Sequence, residues 1–406
     1  MKISLIIFLL TFLSPSFFSQ SLITNNQLLW QISGNGLKKN SYLFGSYHSN
    51  DARVFKLSDS TNAAFLNAEA VVLEADIYQL FAEYDMRLKE VNLDFDSNGK
   101  AFTSDTKPTQ TKYGNEDGRP QFLDLYFQQM AYNMGKAFFP LETVEEQIEA
   151  FESVYERTAT QKNLQDLKIV QDNLFYAYLK GDIEKVRSII QNQLNDSKNA
   201  YDRLIVKRNI NMVNGIDTLC RNKSLFVAVG CGHLAGNDGI ITLLRKKGYI
   251  VRQVFASYSS IKTEAEQKIA KFNKFTYFDK KEKFTAVFGG KPIMDTNVNY
   301  FRLIYQEMGQ GNTFVIEIEN SQNDNLAEYA ADVIDLPEKS NFTELKHQNS
   351  IQAFEGVGYE YAAGLSWKRI FIVNGKLIKL ICYGGNKFMN SNRPQAFFNK
   401  VIFEPK

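Results

Sequence analysis

The apolar positions of this chain change their period several times, and each change marks an element. Gln27 to Ser33 alternates around Trp30, Asn35-Gly36 is a turn signal, and Tyr42 to Gly45 resumes a strand. Two neighbouring strands or a hairpin are predicted there. Leu57 to Asn67 follows a helical period. Ala70 to Ala75 is then a continuous apolar run broken only by Glu74, the form of a strand buried on both faces. Far downstream, Leu225 to Val229 repeats that buried-strand pattern. Gly239 to Lys247 is an amphipathic helix ended by Gly248, and Tyr249 to Ala256 is the next strand. Residues 42–76 and 225–256 therefore both read strand, turn, helix, strand. The first strand of each ends in Gly-x-x-His: Gly45-Ser46-Tyr47-His48 and Gly230-Cys231-Gly232-His233. The pattern predicts two such repeats in one mixed α/β sheet with surrounding helices, their turns at comparable strand ends. In open α/β sheets those carboxyl ends are where ligands sit.

Between the repeats, Asp94 to Pro120 is polar and reads as a loop or flexible insertion. Gln121 to Arg221 is dominated by helical spacing. After Ala256, residues 257–274 read as a helical linker rich in Lys, Glu and Ala, and the pattern then becomes β-type. Phe284–Phe288, Tyr300–Tyr305, Thr313–Ile318, Lys368–Val373 and Leu377–Tyr383 are short strand runs, with Asn374-Gly375 as a hairpin signal between the last two. The expected plan is a signal peptide over 1–20, an α/β domain over 21–256, a linker over 257–278, and a C-terminal α+β domain with an antiparallel sheet over 279–406.

Composition adds exclusions. A chain of 406 residues has the length of about two domains. Its formal net charge is +2, with Lys and Arg dispersed, so nothing calls for nucleic acid or an anionic membrane surface. At the N-terminus, Lys2, the apolar run Leu5–Leu13 and the mainly small residues Pro15–Ser19 have the form of a secretory signal cut near Ser19 or Gln20. That run is too short to span a bilayer stably. The expectation is an exported protein, periplasmic or extracellular, with no integral span after cleavage. The three cysteines are no disulfide scaffold. Cys220 and Cys231 bracket a strand, which holds them too far apart to bridge.

Histidine is scarce: His48, His233 and His347 are all there is. Two of the three end the matched turns. A glycine at a buried strand end lets the backbone turn and approach a ligand closely, and a histidine just beyond it serves as base or metal ligand. Glu74 lies in an otherwise apolar strand and needs a partner or a metal to be buried there. Asp76 alternates onto the same face and is a weaker candidate. Arg208 interrupts the apolar stripe Tyr201, Leu204, Ile205, Met212, Ile216 and Leu219, so it requires either an acidic partner or an anionic substrate group. Thr143 with Glu146 has the form of a capping box, which leaves Glu142 free to face a cavity. His347, in Lys346-His347-Gln348-Asn349, reads as solvated. A dinucleotide-binding turn at Gly230 fails in detail, because the pattern needs glycine at Ala235 and the strand that follows offers no acid for a ribose.

On these residues the sequence resembles the TraB/GumN family, which includes the Tiki-type metalloproteases. The resemblance runs through Leu28-Leu29-Trp30-Gln31-Ile32, Tyr42 to His48, Val72-Leu73-Glu74, Leu141-Glu142-Thr143 with Gln147, Arg208-Asn209, and Val227 to Leu234, covering about residues 22–256. It implies a mixed sheet with helices around it and a site of His48, Glu74, Arg208 and His233, with Gly45 and Gly230 as turn glycines. It makes Glu142, Gln147 and Asn209 secondary candidates. It further implies a divalent metal ion, manganese or cobalt, held by His48, His233 and Glu74, and a peptide or small-molecule substrate. Relatives in the wider superfamily imply two alternatives: an esterase-like hydrolase that uses a histidine without metal, or a haem- or ligand-binding protein without catalysis. The C-terminal extension faintly resembles domains of PsbP or Mog1 type, which implies no chemistry and names no partner.

Overall fold

The computed structural model describes residues 22–24, 26–80, 110–111, 114–149, 164–194, 198–296, 300–322, 325–334, 342–348, 351–360 and 364–404. The expected signal segment and most of the expected polar loop, residues 94–109, lie outside the described residues.

The N-terminal half is built on a six-stranded sheet. Its strands are β1 (Leu29–Ser33), β2 (Ser41–Ser46), β3 (Ala70–Leu73), β4 (Ala137–Pro140), β5 (Leu225–Gly230) and β6 (Ile250–Gln253). They lie in the order β4-β3-β5-β2-β1-β6. Pairs β4–β3, β3–β5 and β5–β2 are parallel; β2–β1 and β1–β6 are antiparallel. The sheet is therefore mixed, as the sequence pattern predicts. The helices include α1 (Asp59–Asn67), α2 (Leu123–Asn133), α3 (Leu164–Lys180), α4 (Ile183–Leu194), α5 (Arg208–Cys220) and α6 (Ile240–Lys246).

The continuous apolar runs fill the centre of the sheet. Leu225 to Val229 and Ala70 to Leu73 are each at most 1% exposed. Helices cover both faces, so no polar alternation survives in these strands. Phe44 of β2, Phe226 of β5, Phe65 of α1 and Phe127 of α2 meet at ring-centroid distances of 5.0 to 5.9 Å. That cluster pins α2 against the sheet. The helical period over 121–221 hid one strand, β4, which is only four residues long and too short to register as a period of its own.

The two repeats share their first strands but not their second. β2 and β5 are neighbours, with Gly45 opposite Val229 and Ser46 opposite Gly230. Each is followed by a helix and another strand. β3 then joins the free side of β5, whereas β6 crosses to the far edge beside β1. The essential outcome is that both Gly-x-x-His turns leave the same edge of the sheet side by side.

The C-terminal half is an antiparallel sheet of β9 (Ile293–Thr296), β10 (Tyr300–Gln306), β11 (Thr313–Asn320), β12 (Thr343–His347), β13 (Ile351–Glu360), β14 (Gly364–Val373) and β15 (Lys376–Tyr383), after the shorter pair β7 (Phe275–Asp279) and β8 (Phe284–Phe288). The large sheet runs β9-β10-β11-β15-β14-β13-β12. The Asn374-Gly375 turn joins β14 to β15 with both residues at positive φ, 53° and 74°, the geometry that two-residue hairpins favour. The segment expected as a linker carries a helix, Glu264–Ala270, closed at its N-terminus by a Thr263–Glu266 capping box.

One expectation is overturned here. His347 is not solvated: it ends β12 at 3% exposure, its ring stacked on Phe371 at 4.4 Å. Its Nε2–H donates to the Val401 carbonyl at 3.0 Å, and its Nδ1 accepts from Arg369 at 3.2 Å. The polar neighbours Lys346 and Gln348 disguised a residue whose own side chain alternates inward. The three cysteines are free and buried, and among the described residues no helix is long and apolar enough to cross a membrane.

Candidate functional site

Gly230 is the hub of the site. A methyl group placed on its Cα would lie 3.2 Å from Glu74 Oε1, 3.3 Å from His48 Nε2 and 3.6 Å from His233 Cδ2. Three polar side chains from three segments thus face one small volume, and glycine keeps that volume open. His48 follows β2, Glu74 follows β3, and His233 ends the short turn Cys231–His233 after β5. All three strands are parallel and adjacent, so their carboxyl ends deliver the three residues together.

Each histidine is held through Nδ1. His48 Nδ1–H donates to Asp124 Oδ2 at 2.8 Å, and Ser46 Oγ donates to the other oxygen of Asp124. His233 Nδ1–H donates to Asn209 Oδ1 at 2.7 Å, and Asn209 Nδ2 donates to the Asp238 carbonyl at 2.7 Å, which fixes the direction of that amide. His48 thus turns Nε2 toward the Gly230 volume, and His233 faces it through Cδ2, with its Nε2 3.9 Å from Glu74 Oε1. Anchoring of Nδ1 by a carboxylate or carbonyl is the arrangement that orients histidines as metal ligands or bases.

The two rings sit in opposite electrostatic settings. The Asp124 carboxylate pushes the pKa of His48 up to about 9, against the cost of burying its charge. The ring is nevertheless 58% exposed on one side, so water screens this pair. His233 is 7% exposed. Burial pulls its pKa down to about 4; Glu74 opposes this, while Arg208 and His48 add to it. The Asp124 carboxylate thus favours the protonated form of His48, and burial favours the neutral form of His233.

Glu74 is 8% exposed. Burial pushes its carboxyl up, but His233, Arg208, His48 and the Gly230 N–H together outweigh that and hold it well below the usual range. Burial favours the neutral form of His233, so we assign the ionisation of Glu74 chiefly to Arg208 and His48, with the Gly230 N–H. Gly230 N donates to Oε1 at 2.6 Å, and Arg208 Nη2 donates to Oε2 at 2.7 Å. His233 Nε2 lies 3.9 Å from Oε1.

Arg208 has found acidic partners. Its Nε and Nη2 reach Glu142 at 2.7 and 2.8 Å while Nη2 also holds Glu74. Glu142 arrives beside Glu74 because the chain past β4 continues the parallel ladder: Glu142 N donates to the Glu74 carbonyl at 2.7 Å. Burial and the neighbouring Glu74 charge push the Glu142 carboxyl up, opposed by Arg208. Gln147 donates to both carboxylates. Thr143 and Glu146 make the reciprocal capping bonds predicted for them. The segment before Arg208, Asp202–Lys207, is a π-helix. Such widened turns shift the helical register at functional sites, and here Arg208 and Asn209 both face the site.

The structure thus brings together His48, Glu74, Arg208 and His233, with Glu142, Gln147 and Asn209 around them. Asp76 is elsewhere, receiving Gln128 Nε2 at 2.6 Å. Sequence reasoning missed Asp124 and gave Ser46 no role. Asp124 lies in the first turn of α2, where an acid is ordinary for the helix dipole. In the fold Leu123, Asp124 and Leu125 are all buried, Asp124 at 5% exposure.

A separate cavity of about 300 Å³ lies beside β1 and β2, lined by Leu28, Phe44, Thr61, Tyr178 and Tyr258 among others. None of the residues around Gly230 lines it. The histidines and the buried carboxylate of Glu74 lie at the open face of Gly230, not in this cavity.

Among the described residues, no set of three or more His, Cys, Asp and Glu side chains is drawn together as a closed metal-ligand group. The donor types nonetheless suit a divalent ion: two imidazoles with anchored Nδ1 positions and one carboxylate border a volume that only glycine leaves empty.

A mixed sheet flanked by helices, with histidines and a buried carboxylate at adjacent parallel strand ends, defines an α/β protein with a strand-end site. The chain belongs to the TraB/PrgY/gumN family, which it matches over residues 28–115 and 109–253. The match spans the six-stranded sheet and every residue around Gly230, and it stops before the C-terminal half. The chain is also similar to Metalloprotease TIKI2 of Danio rerio, with 26% identity over 185 residues. That stretch is 37% of this chain and 36% of the relative, so the chain spans little more than a third of the relative's length.

Proposed function

We propose that this protein is an exported hydrolase of acyl bonds, peptide bonds first, acting at the Gly230 volume. The observation that carries the reading is the facing of two Nδ1-anchored imidazoles, one exposed and paired with a carboxylate, the other buried on an amide, beside the buried carboxylate of Glu74. Titratable groups driven apart in pKa within one site are an acid and a base. His233, neutral, accepts the proton of an attacking water at Nε2, and Glu74 at 3.9 Å stabilises the imidazolium that forms. His48, protonated, donates from Nε2 to the leaving amine or alkoxide, and Asp124 keeps it charged and aimed. Arg208 spends its donors on Glu74 and Glu142, so it keeps Glu74 ionised and fixed rather than binding substrate.

A divalent ion of manganese or cobalt type, held by His48, His233 and Glu74, would displace the Nε2 proton of His48 and would supply Lewis-acid polarisation of the carbonyl and a bound water of lowered pKa. The family and the resemblance to a metalloprotease support that cofactor. A second, metal-free reading is favoured by the different settings of the two histidines, one beside a carboxylate and one buried on an amide, which pair an acid with a base. Digestion of a peptide library by the full chain, with manganese or cobalt and again with a strong chelator, tests both. Cleavage abolished by chelator and by His48→Ala and His233→Ala supports the metal-assisted form; cleavage that survives chelator supports the second. Wild-type turnover by His48→Ala refutes both. Export rests on the charged and apolar pattern of the first twenty residues. A mature N-terminus near Ser19 or Gln20, read by mass spectrometry of the exported protein, checks it.

A further inference from the structure

We propose that the C-terminal half is a clamp that positions the His48–Asp124 pair, through the turn Glu307–Gly311 between β10 and β11. The inference rests on the hydrolase reading for what the pair does, but not for the clamp itself. Asn50, two residues beyond His48, is 3% exposed. Its Nδ2 donates to the carbonyls of Gly309 at 2.7 Å, Asn115 at 2.7 Å and Arg119 at 3.2 Å, and its Oδ1 accepts from Asn115 N at 3.0 Å. Gln121, three residues before Asp124, is 4% exposed. It accepts from Met308 N at 2.6 Å and donates to Tyr305 Oη at 2.7 Å. Gly309 N donates to the Pro120 carbonyl at 2.7 Å, and Gln310 Nε2 to the Gly118 carbonyl at 2.7 Å.

Residues 114–121 are therefore pressed between the His48 loop and the C-terminal turn. This part of the stretch expected as flexible insertion is bound on both sides. The strap also ties the two partners to each other: Arg119 N donates to the Asn50 carbonyl at 2.7 Å, and Leu123 N to the Ser49 carbonyl at 3.2 Å. Helix α2 is buried nearly all round, the sheet on one side and Tyr305 and Gly289 on the other. The turn is rigid in its own right. Gly311 N donates to the Glu307 carbonyl at 2.6 Å, Asn312 Nδ2 to Glu307 Oε2 at 2.7 Å, and Arg393 binds the same carboxylate. Gly309 cannot carry a side chain there: a Cβ would sit 2.5 Å from the Arg119 carbonyl oxygen and 2.7 Å from Asn50 Cβ. His233, by contrast, is anchored from within the N-terminal half by Asn209. The clamp thus acts on one histidine of the two, and Asn50, Gln121 and Gly309 are positioning residues. Function held this way depends on rigid support beyond the contact shell.

The test uses the full chain and two variants, Gly309→Ala and Gln121→Leu. Amide hydrogen exchange is followed by mass spectrometry over 47–52, 119–126 and 225–245, and kcat and KM are measured on any peptide the wild type cleaves. Release of the clamp is expected to speed exchange over 47–52 and 119–126 by about tenfold or more and to leave 225–245 unchanged. kcat is expected to fall about tenfold or more with KM within about threefold. Exchange over 47–52 and 119–126 that matches wild type in Gln121→Leu overturns the clamp, as does protection lost equally over 225–245. If the wild type cleaves nothing, the hydrolase reading fails while the exchange data still decide the clamp.

Discussion

Replacing Asp124 by asparagine isolates the electrostatics of His48. With the carboxylate present, the His48 pKa stands near 9. At pH near 7, such a ring is only about 1% neutral, whereas a ring at the ordinary value of about 6.5 is roughly three-quarters neutral. Only the neutral ring reacts with diethyl pyrocarbonate. Asp124→Asn keeps the size of the side chain and removes the charge, so the rate of modification should rise, by up to about 75-fold on those fractions. The exposure of the ring admits solvent screening, which lowers that ceiling. The assay is clean because His233 and His347, at 7% and 3% exposure, are shielded from reagent. Metal-free protein is modified at a series of pH values, and peptide mapping identifies the labelled residue. In wild type the rate should still be climbing as pH passes 8; in the variant it should level off above about 7. A wild-type rate that titrates near 6.5 and does not respond to Asp124→Asn refutes the assignment of His48 as the protonated partner.

Gly230→Ala should leave the fold intact and remove about 100-fold or more of kcat, because the added methyl occupies the volume shared by Glu74, His48 and His233; an unchanged melting temperature with lost turnover checks this. Arg208→Leu strands Glu74 and Glu142 as buried acids and should cost about 3–5 kcal/mol in urea unfolding, and adding Glu142→Leu should recover part of it; a single variant as stable as wild type would contradict the ion-pair assignment. His347 has its folded-state pKa lowered to about 4 by burial and by Arg369. The unfolded chain therefore takes up that proton first, so the stability from neutral burial is complete above about pH 6.5 and is lost as pH falls toward 4, by roughly 3 kcal/mol at most. His347→Gln should flatten the stability–pH curve across that window, and an identical slope in both proteins would reject the assignment.

The sequence by itself determined which residues could matter and which strands would be buried. Glu74 and Arg208 were legible because a charge within an apolar run must be compensated whatever the fold. The paired Gly-x-x-His turns were legible because a strand followed by glycine and histidine is a local pattern. Local patterns could not say that β2 and β5 would be neighbours, since strand order depends on packing between segments about 180 residues apart. Nor could they say that Arg208 would be satisfied by Glu142 and Glu74 rather than left for a substrate. Asp124 was invisible for the same reason: an acid at a helix start is ordinary until the tertiary fold sets an imidazole 2.8 Å from it. His347 was misjudged because its neighbours in sequence are polar while its neighbours in space are Phe371, Arg369 and the Val401 carbonyl. Tertiary structure alone decided the protonation difference between His48 and His233. A pKa is set by what surrounds a group in three dimensions, and that information is spread along the chain from Ser46 to Asp238.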